Sequence, residues 1–338
     1  MALLVVKQTR ADKARCSELS DLHIVIGAGG LLGGAIKRLL MIRGKTVVSP
    51  FQVPWKDNVD RVVEALLQTV RDALESESQQ PTGAWGIYWC AGSGTTGGTS
   101  EQFASEIEVY QRFIHALSQE FRADLCRLTF FYASSAGGVY AGSAHPPFNE
   151  LTEPNPLSSY GEAKLVCEEA TRELADNGAL VFIGRIANLY GPGQNLAKGQ
   201  GLISSLSMAH HKGSYGKIFV SLDTLRDYIY VDDAAKKIVS LCACGDRSDE
   251  GNFVVKLICS GSSMSVAEVI AIFNIVAKKR LPCIYGVTSQ TALQARDLRL
   301  QSCIRKEIDK IELTSFVSGL VATHRAVGEA FRAGKMAS

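Results

Sequence analysis

A phenol and an ammonium stand four positions apart in "SSYGEAKLVCEEA", residues 158–170. In a helix that spacing puts Tyr160 and Lys164 on one face. A free tyrosine ionises near pH 10, so a tyrosine that acts as a base at neutral pH must fall by about three units, or about 4 kcal/mol of preference for the phenolate. A lysine charge about 4 Å away supplies energy of that order at an effective dielectric near 20. The same spacing also occurs in ordinary solvated helix pairs. Here it has company: "YASSAGGVY" places Ser134 and Ser135 at the end of a strand, and a glycine turn lies upstream.

That turn is "GAGGLLG", in which Gly27, Gly30 and Gly33 form GxxGxxG around Leu31 and Leu32. Glycine permits the tight turn, lets backbone N–H groups approach a pyrophosphate, and lets helix pack closely on strand. The turn sits between an apolar strand and a helix, so it reads as a dinucleotide site. The next strand ends at Ser49, where an acidic residue would bond the adenosine ribose and favour NAD. Serine neither repels a 2′-phosphate nor replaces the acid, so the choice between NAD and NADP stays open at this residue. Lys56 is equally suited to a phosphate and to solvent.

The elements around these residues alternate. "DLHIVIGAGGLLGGAIKRLLMIRG" passes from strand through turn into a helix that stops at Gly44. "KTVVSP", "AWGIYWCAGSG", "LCRLTFFYASSAGGVY" and "ALVFIGRIANLYGPG" read as strands. "NVDRVVEALLQTVRDALES", "EQFASEIEVYQRFIHALSQEF" and "SSYGEAKLVCEEATRELADNG" read as helices. The expected fold is α/β: a Rossmann-type, doubly wound parallel sheet. Residues 21–193 are assigned to that dinucleotide-binding part and 1–20 to an N-terminal extension. Residues 194–338 are assigned to a smaller substrate-binding region, some of whose elements return to the sheet.

Other functions fit poorly. The 338 residues carry a net charge of +2 with no basic, aromatic-rich stripe, which excludes nucleic acid as the main partner. Nine cysteines without a CxxC pair or zinc spacing read as reduced thiols in a cytoplasmic protein. "MALLVVKQTR" lacks the marks of a secretory leader, and no apolar run reaches membrane-span length. No metal site is expected. His210 and His211 read as solvated loop histidines, and Asp232 and Asp233 as charges at a helix N-terminus.

Together these pieces resemble the extended short-chain dehydrogenase/reductases, specifically the NAD-dependent epimerase/dehydratase group acting on nucleotide sugars. The resemblance spans residues 22–320 and rests on "GAGGLLG", "CAGSG", "SSAGGVY", "YGEAK", "RIANLYGPGQ" and "RDYIYVDDAA" in that order. It implies Tyr160 as acid/base on a sugar hydroxyl and Lys164 on the nicotinamide ribose. Ser135 is implied as hydrogen-bonding the same hydroxyl, with Ser134 the alternative one register away. Cys90, Ala91 and Gly92 would line the adenosine side. Asn188 and Arg226 would meet the substrate diphosphate, with Arg296 as a second phosphate arginine. A salt bridge to Asp227 or Asp232 is the structural alternative for Arg226. A homodimer is implied through a four-helix bundle of helices 101–120 and 160–176, which carry apolar residues such as Val166 and Leu174.

Three departures shape the functional expectation. Only one helix fits between the second strand and "IYWCAG", which shortens the adenosine edge of the sheet. Ala136 and Gly137 follow Ser135 where sugar 4,6-dehydratases have an Asp-Glu pair, so 4,6-dehydration is disfavoured. "SLDTLRDY" lacks the usual glycine-rich lead-in to its arginine. The expected activity is 4-epimerisation of a nucleotide-diphosphate sugar by transient oxidation. A net reductase or dehydrogenase using the same triad is the alternative. A non-catalytic dinucleotide sensor is a third reading, but it has no need of Ser135, Tyr160 and Lys164 together.

Overall fold

The structure is a computed structural model that describes residues 22–50, 52–76, 83–92, 98–195, 201–244, 251–287 and 294–334. The expected extension, residues 1–20, lies outside the described residues. In chain order the first part reads β1 (Leu22–Ile26), α1 (Leu31–Ile42), β2 (Thr46–Val48), α2 (Val59–Ser76), β3 (Trp85–Trp89), α3 (Ser100–Glu120), β4 (Leu128–Ser135), α4 (Ala136–Val139), α5 (Ser159–Ala170), α6 (Arg172–Asp176) and β5 (Leu180–Ile186). The second part reads β6 (Asn188–Tyr190), α7 (Leu202–His211), β7 (Gly216–Ile218), β8 (Leu225–Tyr230), α8 (Val231–Ala243), β9 (Phe253–Ile258), β10 (Ser263–Ser265), α9 (Val266–Val276), β11 (Cys283–Tyr285), β12 (Asp297–Leu298), α10 (Lys306–Asp309) and α11 (Phe316–Arg332).

Strands β1, β3 and β5 are buried at every position. Such runs demand cover on both faces of a sheet. They receive it in a six-stranded parallel sheet ordered β2-β1-β3-β4-β5-β9. One face buries Val62 and Leu66 of α2, Phe113 and Leu117 of α3, and Cys167 of α5. The other buries Ile36 and Leu40 of α1 with Ala235 and Ile238 of α8. The chain runs outward from β1 to β2, then returns to β3 on the opposite side of β1. The strand order therefore reverses there, and a crevice opens beyond the carboxyl ends of β1 and β3.

The remaining elements build a second layer. β8 pairs in parallel with β6 and β12 and antiparallel with β10. α7, α9 and α11 share a separate core around Leu206, Phe273 and Leu320. Among the described residues, no helix is long and apolar enough to cross a membrane.

The helix expected to run from 158 to 178 breaks at Thr171. The Thr171 hydroxyl donates to the Cys167 carbonyl at 2.7 Å and also lies 2.6 Å from the Tyr110 hydroxyl. Leu174, named among the apolar residues of the expected four-helix bundle, is fully buried in the chain's own core. Val166 is exposed at 40%.

Candidate active site

The glycine turn is held together by contacts that exclude side chains. Gly27 leaves β1 with φ +88°, and a Cβ there would lie 2.5 Å from the Ala91 nitrogen. A Cβ on Gly33 would lie 2.3 Å from the Gly27 carbonyl oxygen. The ends of β1 and β3 and the first turn of α1 thus touch backbone to backbone. The Gly30 N–H closes the turn on the Gly27 carbonyl at 3.0 Å. No side chain caps α1 and no acidic residue stands in its first turn, where Leu31 and Leu32 begin the helix. That leaves a positive helix end suited to an anion.

Beside the turn lies a cavity of about 230 Å³, lined by Leu32, Cys90, Ala91, Gly92, Ser134, Ser135, Tyr160 and Lys164. Tyr160 is fixed by a second glycine contact. A Cβ on Gly161 would lie 2.2 Å from the Gly138 carbonyl oxygen, so α4 and α5 meet closely. The Tyr160 ring then rests against Gly138, 3.1 Å from where a Cβ would stand. Ser158 caps α5 by accepting from the Gly161 N–H at 3.3 Å.

Lys164 is anchored differently from the simple pair expected. Its ammonium donates to the Ala133 carbonyl at 2.9 Å and to the Tyr132 hydroxyl at 3.4 Å, and lies 5.7 Å from the Tyr160 ring centre. Two phenols therefore flank one lysine. Burial pushes the Tyr132 phenol well above its ordinary value, so it stays neutral. Tyr160 is the half-buried one. Burial likewise pushes the Cys90 thiol up to about 12, which keeps it uncharged on the cavity wall.

The two serines separate. Ser134 is buried and donates to Glu168 at 2.5 Å, and Glu168 is ion-paired with buried Arg185 at 2.7 Å. Its hydroxyl serves the internal framework. Ser135 accepts the Gly138 N–H at 3.1 Å as the cap of α4, and its hydroxyl hydrogen has no partner among the described residues.

The model of the NAD dependent epimerase/dehydratase family matches residues 23–255. The chain belongs to that family. A 151-residue stretch, 44% of the chain, is 31% identical to dTDP-4-dehydro-6-deoxyglucose reductase of Escherichia coli. A 124-residue stretch, 36% of the chain, is 33% identical to a putative UDP-glucose 4-epimerase of Methanocaldococcus jannaschii. These stretches span 46% and 40% of the two relatives, less than half of each. The fold is similar to UDP-glucose 4-epimerase of Thermotoga maritima with UDP-glucose, at TM-score 0.74 and 20% identity over 91% of this chain and 99% of that one. It is also similar to MoeE5 in complex with UDP-glucose and NAD, at TM-score 0.73 and 22% identity over 92% and 99%.

The family's dinucleotide fits the residues present on two observations. Gly27 and Gly33 close a tight backbone turn onto a helix start that has no side-chain cap and no acidic residue in its first turn. At the end of β2 the Ser49 hydroxyl oxygen is buried without a hydrogen-bond partner, a desolvated group that a ribose hydroxyl would satisfy.

Asn188 and Arg226, the residues expected at the substrate diphosphate, stand on β6 and β8, where Asn188 pairs in register with Tyr228. The Asn188 side chain donates to the Asp227 carbonyl at 3.3 Å. Arg226 is 7% exposed, and its guanidinium donates to the Leu225 carbonyl at 2.9 Å. It forms neither of the expected salt bridges. Asp227 accepts from the Ser260 and Gly261 N–H groups at 2.8 Å each, and Asp232 pairs with Arg38 at 3.0 Å. The nearby Asp297 carboxylate is bonded to Arg299. Arg226 is thus a buried cation without a carboxylate partner among the described residues, and desolvation pulls its pKa below the ordinary arginine value. Arg296 is 74% exposed and ion-paired with Asp223. Neither arginine lines the cavity that holds Tyr160.

The structure also brings in residues that the sequence did not mark. Tyr132 from β4 and Glu106 from α3 line the cavity with Lys164. Strand alternation could have placed Tyr132 on a face, but nothing local points Glu106 there. Asp232 and Asp233 stand in the first turn of α8 as expected. His210 and His211 are not solvated loop residues. They end α7, are half-buried, and pack on His324 of α11.

Proposed function

We propose that the protein is a nucleotide-diphosphate-sugar 4-epimerase that uses NAD. The observation that carries this reading is the gathering of Ser135, Tyr160 and Lys164 on one cavity wall against Cys90, Ala91 and Gly92. The Gly27, Gly30 and Gly33 turn, with Leu31 and Leu32, would hold the pyrophosphate. Ser49 would meet the adenosine ribose, and Lys164 the nicotinamide ribose. When bound, the dinucleotide supplies reversible hydride exchange at the sugar carbon.

The chain's own residues handle the proton and the geometry. Tyr160 takes the proton from the 4-hydroxyl as the 4-keto sugar forms and returns it after the sugar has turned over. Lys164, held by Ala133 and Tyr132, sets its ammonium group beside that phenol. Ser135 donates to the same sugar oxygen with the hydroxyl hydrogen that its cap leaves free. Arg226 and Asn188 hold the diphosphate, which is fixed while the sugar rotates. Ala136 and Gly137 supply no carboxylate for dehydration, so the cycle ends at C4 inversion.

The similarity to dTDP-4-dehydro-6-deoxyglucose reductase favours a second reading, net reduction of a 4-keto sugar. Incubation with UDP-, GDP- and dTDP-sugars, followed by NMR, separates the two. The expected result is a C4-inverted product with no net change in nicotinamide absorbance. Stoichiometric NADH or NADPH consumption would replace epimerisation with reduction.

A further inference from the structure

Far from the glycine turn in sequence, three imidazoles converge where α7 meets α11. The ring centres of His210 and His324 lie 5.0 Å apart, those of His211 and His324 4.5 Å, and those of His210 and His211 5.5 Å. One ligand atom from each lies within 4.8 Å of the others. Gly328 makes the space, because a Cβ there would stand 2.6 Å from His211 Cε1 and Nε2. The Phe273 ring closes the cluster against His210 and His324.

Simple aromatic packing leaves something over. The Nδ1 atoms of His210 and His324 are buried without any hydrogen-bond partner. A buried ring nitrogen left unpaired forfeits its hydration and gains nothing in return. A phenylalanine would fill the same space without that cost.

We propose that His210, His211 and His324 form a binding site for a divalent transition-metal ion of the zinc type, which clamps α7 to α11. Imidazole nitrogen suits zinc and its neighbours, and three histidines with an open fourth position for water form a known coordination set. Bonds of about 2.0–2.1 Å hold tetrahedral nitrogens about 3.4 Å apart, so side-chain rotation must close the cluster by less than about 1.5 Å. All three residues are half-buried, which leaves a path for ion and water. Burial and the other two rings push the His324 imidazole down to about 4, and burial also lowers His210. Both are therefore neutral near pH 7, the form that ligates. Lys279, the cation that acts on His210, is exposed and screened by solvent.

The test uses the tag-free full chain, stripped with chelator, and titrated first with Co²⁺ and then with Zn²⁺. The expected result is one equivalent of Co²⁺ with the visible absorption of a four-coordinate ion, displaced by Zn²⁺. Zinc at about a hundred times its Kd should multiply the folding equilibrium constant about a hundredfold. His324→Phe and His210→Phe keep the ring volume and remove the nitrogens. Each should weaken zinc binding more than about tenfold, while the metal-free variant unfolds no earlier than the metal-free wild type. His324→Gln replaces either variant that fails to fold. Absence of saturable 1:1 binding to the folded wild type overturns the site, as does undiminished affinity in a folded variant.

Discussion

The half proposed to hold the dinucleotide and the half proposed to hold the substrate position their candidate groups by opposite means. In the half proposed for the dinucleotide, glycines press backbone on backbone: Gly27 on Ala91, Gly33 on Gly27, Gly161 on Gly138. Such contacts leave the side chains between them little freedom, so Tyr160 and Ser135 are positioned before any ligand arrives. In the second, Arg226 sits on a strand whose place depends on β6, β10 and β12, all distant in sequence. Its charge is buried without an ion pair among the described residues, and the attraction of Asp297 does not offset its desolvation. One half is organised by shape, the other by an electrostatic demand that a ligand can meet.

The largest effect should come from deleting one oxygen in the shape-organised half. Tyr160→Phe keeps the ring that packs on Gly138 and removes only the hydroxyl. Turnover should fall about 10³-fold, within the usual range for a general acid–base. Thermal unfolding and dinucleotide retention should stay as in the wild type. Unchanged turnover would mean that the proton goes elsewhere, and the preorganised half would lose its chemical purpose.

The same contrast explains what could be read from residues alone. The glycine turn, the serine run and the tyrosine–lysine pair are local patterns: each fixes its geometry within a few residues, so spacing shows it. The parallel sheet follows from buried runs such as "LHIVI" and "WGIYW" alternating with amphipathic helices. By contrast, Thr171, where the helix breaks, bonds to the hydroxyl of Tyr110, sixty-one positions away. Arg296 reads as a phosphate arginine by type, yet tertiary placement leaves it on the surface against Asp223. His324 lies more than a hundred positions from His210 and His211, and only the packing of α11 on α7 brings them together. Periodicity carries no signal for pairings at that range.

A smaller effect, of opposite character, should follow in the substrate half. Arg226→Met replaces a buried cation with an apolar chain of similar length. A hydrogen bond to a charged group is worth about 1.5–3 kcal/mol, so KM for the nucleotide sugar should rise on the order of 10²-fold. Stability should hold or rise, since the cation has no direct ion pair among the described residues to lose. A fall in stability at unchanged KM would make Arg226 a framework residue and erase the distinction between the halves.

The smallest effect sharpens the comparison at the neighbouring position. Asp227 is fully buried, and desolvation raises its carboxyl to about 6, against the bonds it accepts from Ser260 and Gly261. The folded value lies above the unfolded value of 3.8. Folding therefore takes up a proton at this site between those pH values, and the site's contribution to stability is largest below the unfolded pKa. That contribution declines as pH rises toward about 6 and is level above it, with a slope of no more than about 1.4 kcal/mol per pH unit. Asp227→Asn cannot titrate. Urea unfolding of both proteins at several pH values from 4 to 7 should show the variant gaining on the wild type up to pH 6, then running parallel. Parallel curves throughout would mean that the Asp227 carboxylate is fully compensated where it lies. The electrostatic cost on this stretch of β8 would then fall to Arg226.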